Sequence, residues 1–262
     1  MHDKLITILL TVTLAIAIAP QALVAEQKHH DDSDMPEREE IRQSYEMAPG
    51  ARIEVSTIAG SVDVETSDGN TAEVQIIRMG KTRKDFDCYK INIEHSPASL
   101  FIRHQQGSED ACRNVRDRQR VLLRLPRNVD LKLTAIAGPV TVEAIEGTLR
   151  MSGIAGKVDV AQALGYSDIS GISGSLNMKI ARIGQRGVRV SGIAGRADFR
   201  IAEDVNADIS VSGILGDIDN AANISMTKVG HSSFRGRIGS GGAPISVSGI
   251  NGSVAFRRQQ GN

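Results

Sequence analysis

Tryptophan is absent, and aromatic residues make up only 3% of the chain, five Phe and three Tyr. Stacking platforms for bases, and for sugars, are therefore hard to build. Neither sign of charge prevails: 31 Lys and Arg balance 31 Asp and Glu, a formal net charge of zero. The electrostatic attraction behind nucleic-acid binding is missing with it, so no nucleic-acid partner is expected. Proline is scarce, 7 residues against 26 Gly, which suits tight corners better than a disordered Pro-rich chain. No apolar run reaches the about 20 residues that cross a bilayer.

The longest run, LITILLTVTLAIAIA over residues 5–19, counts 15 and fits the core of an export signal. Lys4 precedes it, Pro20 ends it, and Ala22-Leu23-Val24-Ala25 offers cleavage after Ala25. Residues 1–25 are read as a signal peptide, with no transmembrane segment in the mature chain. The address is then export, to the periplasm, the cell surface or the medium. Residues 26–47 are polar and highly charged, as in a flexible leader. His29, His30, Asp31 and Asp32 there have metal-ligand chemistry, but in such a tail no metal site is assigned. An exported chain with two cysteines predicts a Cys88–Cys112 disulfide, stapling the loop it encloses.

From Thr134 onward one motif recurs without gaps. Its copies are TAIAGPVTV (134–142), SGIAGKVDV (152–160), SGISGSLNM (170–178), SGIAGRADF (191–199), SGILGDIDN (212–220) and SGINGSVAF (248–256). An earlier copy, STIAGSVDV, occupies 56–64. The second Gly of the later copies recurs after 18, 18, 21, 21 and 36 residues. The interval of 36 reads as two coils, one degenerate around Phe234 to Gly239. A period near 20 marks a repeat architecture. Alternation with period two inside each copy, with Gly at the corners, makes the units strands. The expected fold is all-β: a β-solenoid, a single-stranded parallel β-helix with 18–21-residue coils and an irregular N-terminal β cap. Residues 134–256 hold its regular repeats, residues 48–133 its irregular coils or cap, and 257–262 a polar tail.

Each motif position then forms a ladder. Ile58, Ile136, Ile154, Ile172, Ile193, Ile214 and Ile250 are expected to point inward. Ser152, Ser170, Ser191, Ser212 and Ser248 repeat two residues earlier. A catalytic reading of that row fails because no His or Asp repeats beside it as a base. Asp63, Asp159, Asp198 and Asp219 fall at the exposed middle of the second strand, diluted by Thr141, Asn177 and Ala255 in other copies. The Gly-Gly-x-Gly-x-Asp pattern of a calcium β-roll is absent. Between Arg113 and Arg127 six Arg accompany one acid, Asp117. They suit an anionic polymer, or more simply the solvated face of a strand pair. No catalytic, cofactor or metal residue is assigned, and the chain is not expected to be an enzyme.

The recurring S-G-I-x-G-x-V-x-V, with APGARIEVSTIAGSVDV (48–64) and LPRNVDLKLTAIAG (125–138), resembles the bacterial family labelled putative adhesin. The resemblance spans about Ala48 to Phe256. It implies an exported single-stranded β-helix domain of unknown function and transfers no catalytic residue. The expected role is a non-enzymatic binding or scaffold module in the cell envelope, with an envelope protein or a glycan as partner. The alternatives are a structural component assembling through its coil ends and a glycan-processing enzyme.

Overall fold

A computed structural model describes residues 35–259, apart from 108–111, 113, 114, 116, 162, 163, 223 and 231. The signal peptide and the His29, His30, Asp31, Asp32 group lie outside the described residues. The first half of the chain contributes β1 (Glu37–Glu46), β2 (Ala51–Ile58), β3 (Gly60–Ser67), β4 (Thr71–Gly80), the single-turn helix α1 (Asp85–Cys88), β5 (Tyr89–Ser96), β6 (Ser99–Gln106), β7 (Arg118–Pro126), β8 (Val129–Ile136) and β9 (Val140–Val142). The second half adds β10 (Thr148–Ala155), β11 (Val158–Ala161), β12 (Tyr166–Ile180), β13 (Val188–Ile201), β14 (Ala207–Ile214), β15 (Ile218–Asn220), β16 (Ser225–Gly230), β17 (Ser233–Ile238), β18 (Ala243–Asn251) and β19 (Val254–Arg258). Strands hold 70% of the described residues and helix 2%.

The all-β expectation stands, but the β-solenoid does not. All 19 strands join one sheet that curls into a nearly closed 12-strand barrel with mixed pairing, not a parallel β-solenoid. Pairing runs along two walls. The first follows β5–β6–β2–β8–β10–β12–β13–β18–β14–β17–β16; the second follows β1–β4–β7–β3–β9–β11–β12–β13–β19–β15. β12 and β13 turn the corner and belong to both. The motif copies pair in parallel, whereas β1–β4, β4–β7, β5–β6, β14–β17 and β16–β17 are antiparallel. Inside-outside alternation is the same for either direction, so the sequence period could not exclude the reversals.

Two further corrections concern chain order. The interval of 36 residues is not a degenerate coil around Phe234 to Gly239; it is the β16–β17 hairpin folded back on β14. The copy at 248–256 then enters between its predecessors, because β13 pairs with β18 and β18 with β14. Side chains explain the order. Phe199 and Phe256 stack inside the barrel with ring centroids 5.3 Å apart. The copy at 212–220 has Asn220 at the corresponding inward place, and its amide exchanges hydrogen bonds with Ile224, donating at 2.7 Å and accepting at 3.1 Å. An amide is tolerated at the end of the wall, where it closes the turn, and would be costly between two phenyl rings.

Other boundaries shift as well. The leader expected over 26–47 contains β1, which pairs with β4 along all ten of its residues. Arg257 and Arg258, assigned to the polar tail, belong to β19. Residues 48–133 are neither solenoid coils nor a cap on a solenoid; their strands belong to the barrel wall. β2 and β6, with β3 and β7, extend the walls in parallel, and β4 and β5 turn back along them, β4 also pairing with β1 from the preceding segment.

One hydrophobic cluster fills the barrel from Met47 to Phe256. The isoleucine ladder lies within it, each member 7% exposed or less, stacked in the order Ile58, Ile136, Ile154, Ile172, Ile193, Ile250, Ile214.

Candidate binding surface

The outward side of the first wall presents the motif serines as one continuous row. Register places Ser56 beside Thr134, then Ser152, Ser170, Ser191, Ser248, Ser212 and Ser233. All are half-buried. The sequence supplied five of these positions; Ser233 was missed because it stands on the reversed hairpin, outside any motif copy. After each motif serine the chain takes a left-handed turn, at Gly192 with φ +63° for example, and the next residue, Ile193, points inward.

Two residues before the hydroxyls runs a second outward row: Glu54, Lys132, Arg150, Asp168, Arg189, Ser246, Ser210, Arg235 and Thr227. Lys132 pairs with Glu54 at 3.2 Å. Arg150, Arg189 and Arg235 are exposed. Where the hairpin joins the wall, this row borders a groove of about 700 Å³ lined by Asp208, Ser210, Ser225, Thr227, Arg235 and Ser246, among others.

The second wall is arranged differently. Its aspartates and neutral residues alternate strictly: Asp63, Thr141, Asp159, Asn177, Asp198, Ala255, Asp219. The displaced copy at 248–256 creates the last alternation, since Ala255 separates Asp198 from Asp219. At about 4.8 Å per strand the carboxylates stand roughly 10 Å apart. Each meets a cation: Asp63 has Arg120 (3.5 Å), Asp159 has Lys157 (2.7 Å), Asp198 has Arg196 (2.8 Å), and Arg257 bridges Asp219 (3.0 Å) and Asp198 (3.7 Å). Asn177 donates to Asp159 at 2.8 Å. Spaced this far apart and each neutralised by a cation, the carboxylates of this row form no close acid pair for glycoside chemistry.

Asn177→Asp is therefore expected to place three carboxylates on successive strands and remove a donor, costing roughly 1–2 kcal/mol at neutral pH. The new carboxyl has a raised pKa in the folded state, so the loss should fade as pH falls and it protonates. Thermal melts at pH 7 and pH 4 check this; equal destabilisation at both would contradict it.

The arginine-rich stretch resolves into paired positions. Arg127 meets Asp68 at 2.7 Å, and its pKa is raised by that bond; Arg120 meets Asp63, and Arg124 sits opposite Glu73. Arg113 and Arg116 lie outside the described residues. These arginines are the solvated face of a strand pair.

Cys88 and Cys112 form the disulfide. It adjoins a buried polar cluster where Asp117 accepts from Gln119 at 2.8 Å and approaches His104 at 3.4 Å and Arg78 at 3.9 Å. His104 also meets the Thr57 carbonyl at 3.1 Å, and Arg78 donates to the Phe86 and Tyr89 carbonyls. The cluster ties the disulfide loop to the corner of the first motif copy. Asp85 begins the adjoining helical turn. Burial raises its pKa, but bonds from Thr82 and Lys81 outweigh that and lower it. Among the described residues no group of three His, Cys, Asp or Glu could hold a metal ion, and no helix is long and apolar enough to cross a membrane.

No family model and no curated protein matches the chain. Among solved structures, a putative cell adhesion protein from Clostridium sporogenes superimposes with TM-score 0.50 at 10% identity, over 85% of this chain and all (100%) of that one. A putative adhesin from Parabacteroides merdae gives TM-score 0.28 at 10% identity, over 83% of this chain and 95% of the other. A putative adhesin from Bacteroides fragilis gives 0.29 at 12% identity, over 84% and 98%. The Clostridium structure is similar to this chain in fold, from end to end of its own length.

Proposed function

We propose that the chain is an exported, non-enzymatic binding module of the cell envelope, and that the outward face of the first wall is its binding surface. The observation that carries this is the in-register row of seven serines from Ser56 to Ser233, interrupted by Thr134, whose hydroxyl is buried, and bordered by guanidinium groups. A flat periodic row of donors and acceptors suits an extended partner, a glycan or a protein strand, better than a small substrate. Catalysis has little support: the serines recur without a neighbouring base, and the His104–Asp117 pair is buried beneath Arg78 and Gln119.

Assembly through the ends has less support. The outermost strand β1 carries Glu37, Arg38, Glu39, Glu40, Arg42 and Glu46, and β16 carries Lys228 and a bulge before Gly230. Charge, lysine and bulges are the usual means of blocking edge-to-edge pairing. The protein should sediment as a monomer.

Cell fractionation with protease shaving of intact cells tests the address. Retention of purified protein on isolated envelopes tests the surface. Ser170→Asp/Ser191→Asp/Ser248→Asp should abolish retention, while Lys179→Asp/Arg200→Asp on the second wall should not. Cytoplasmic protein, or retention indifferent to the serine changes, would overturn the proposal.

A further inference from the structure

We infer that the β16–β17 hairpin completes a groove that holds a linear acidic glycan, its anionic groups gripped by Arg235 and Arg189. This rests on the binding-module reading above and names the ligand class and the residues. Three observations meet at one place. The hairpin is the one segment that breaks the motif between the copies at 212–220 and 248–256, and insertions into repeats commonly build the binding face. From Ser225 to Ile238 it carries Lys228, Arg235 and Arg237 and no acid. It also forms one side of the groove of about 700 Å³, a volume suited to several sugar units.

The charges in and beside the groove are unevenly satisfied. Arg237 is paired with Asp208 at 3.2 Å, and Asp208 also accepts from the Gly242 amide at 3.2 Å. Arg235 has no ion-pair or hydrogen-bond partner among the described residues. Arg189 is likewise unpaired among them; Asp168 stands between it and Arg150 in register and forms an ion pair with neither. Register gives the sequence Arg189, Ser246, Ser210, Arg235, Thr227 across adjacent strands. Two free guanidiniums thus stand about 14 Å apart with two hydroxyls between them. Guanidinium binds carboxylate and sulfate through paired donors, and serine hydroxyls exchange hydrogen bonds with sugar hydroxyls. A polymer carrying anionic groups at intervals and hydroxyls between them matches this row. Nucleic acid fits poorly, since the groove offers no aromatic ring for stacking.

The test uses the full chain and polygalacturonate or heparin as the probe, with neutral dextran as control and binding followed by calorimetry. Wild type should bind at least one of the acidic polymers, more weakly as salt rises, and should not bind dextran. Arg235→Gln should weaken binding about tenfold or more, and Arg189→Gln should weaken it less. Arg200→Gln on the second wall should leave it within about twofold. All three side chains are exposed, so unchanged melting temperatures certify the fold. Equal binding of dextran, no effect of Arg235→Gln, or binding of neither acidic polymer would overturn the inference. If envelope retention persists while the acidic polymers fail to bind, the groove assignment falls and the binding module stands; if both fail, both fall.

Discussion

Ile193→Asp is expected to abolish cooperative folding. Ile193 is 1% exposed and lies between Ile172 and Ile250 on neighbouring strands, in the middle of the inward ladder. The substitution removes about 1.5–3 kcal/mol of apolar burial. It also forces either an unpaired carboxylate into the barrel or a protonated one with unsatisfied hydrogen bonds, at several kcal/mol more. Together these approach the 5–15 kcal/mol by which domains are commonly stable. Far-ultraviolet dichroism during heating reads the outcome. Ile193→Val, which only shortens the side chain, should melt cooperatively with a loss of about 0.5–1.5 kcal/mol. An Ile193→Asp variant that kept the wild-type melting temperature would show that the ladder does not face inward.

The next largest effect is expected from Gly195→Ala. Gly195 has φ +143°, and a Cβ there would come within 1.9 Å of the Gly174 carbonyl oxygen on the adjacent strand. The obstacle is backbone, so no side chain can swing aside. The same contact recurs up the column, Gly174 over the Gly156 carbonyl at 2.2 Å and Gly252 over that of Gly195 at 1.9 Å. Moving one corner therefore disturbs its neighbours. Overpacking and backbone strain together should cost about 3–5 kcal/mol. Gly69→Ala is the control, because nothing lies within 4 Å of a Cβ there. Denaturant midpoints of the two variants should differ widely, and similar midpoints would refute close packing of the corner column.

What the sequence disclosed and what it hid follow from how much each residue constrains. A buried Ile and a corner without room for Cβ are requirements of single positions, so the isoleucine and glycine ladders are legible, and so is most of the hydroxyl row. Strand direction is a relation between segments. The turn Ser96-Pro97-Ala98-Ser99 does signal the β5–β6 reversal, but the β4–β7 pairing joins strands far apart in the chain and leaves no local mark. The order of the copies is hidden because the serine, isoleucine and glycine positions of any two copies match in register. Only Asn220, Ala255 and the Phe199–Phe256 stack tell them apart, and only once they are side by side. Arg235 was out of reach for a similar reason: the hairpin had to be recognised as a hairpin before its arginine could be set beside Ser210.

The interposed copy also governs when the barrel can close. As the chain emerges, β14 carries the same Ser-Gly-Ile corner as β13 and follows it directly, yet the place beside β13 belongs to β18 and β19. A chain that zipped each copy onto its predecessor would set Asp219 against Asp198 and Asn220 against Phe199. Folding must instead leave β14 and its hairpin waiting until residues 243–258 have docked, so the slow step is a late closure between distant segments. The groove beside the hairpin inherits that timing: β14, β17 and β18 all line it, and it does not exist until the final motif copy is in place.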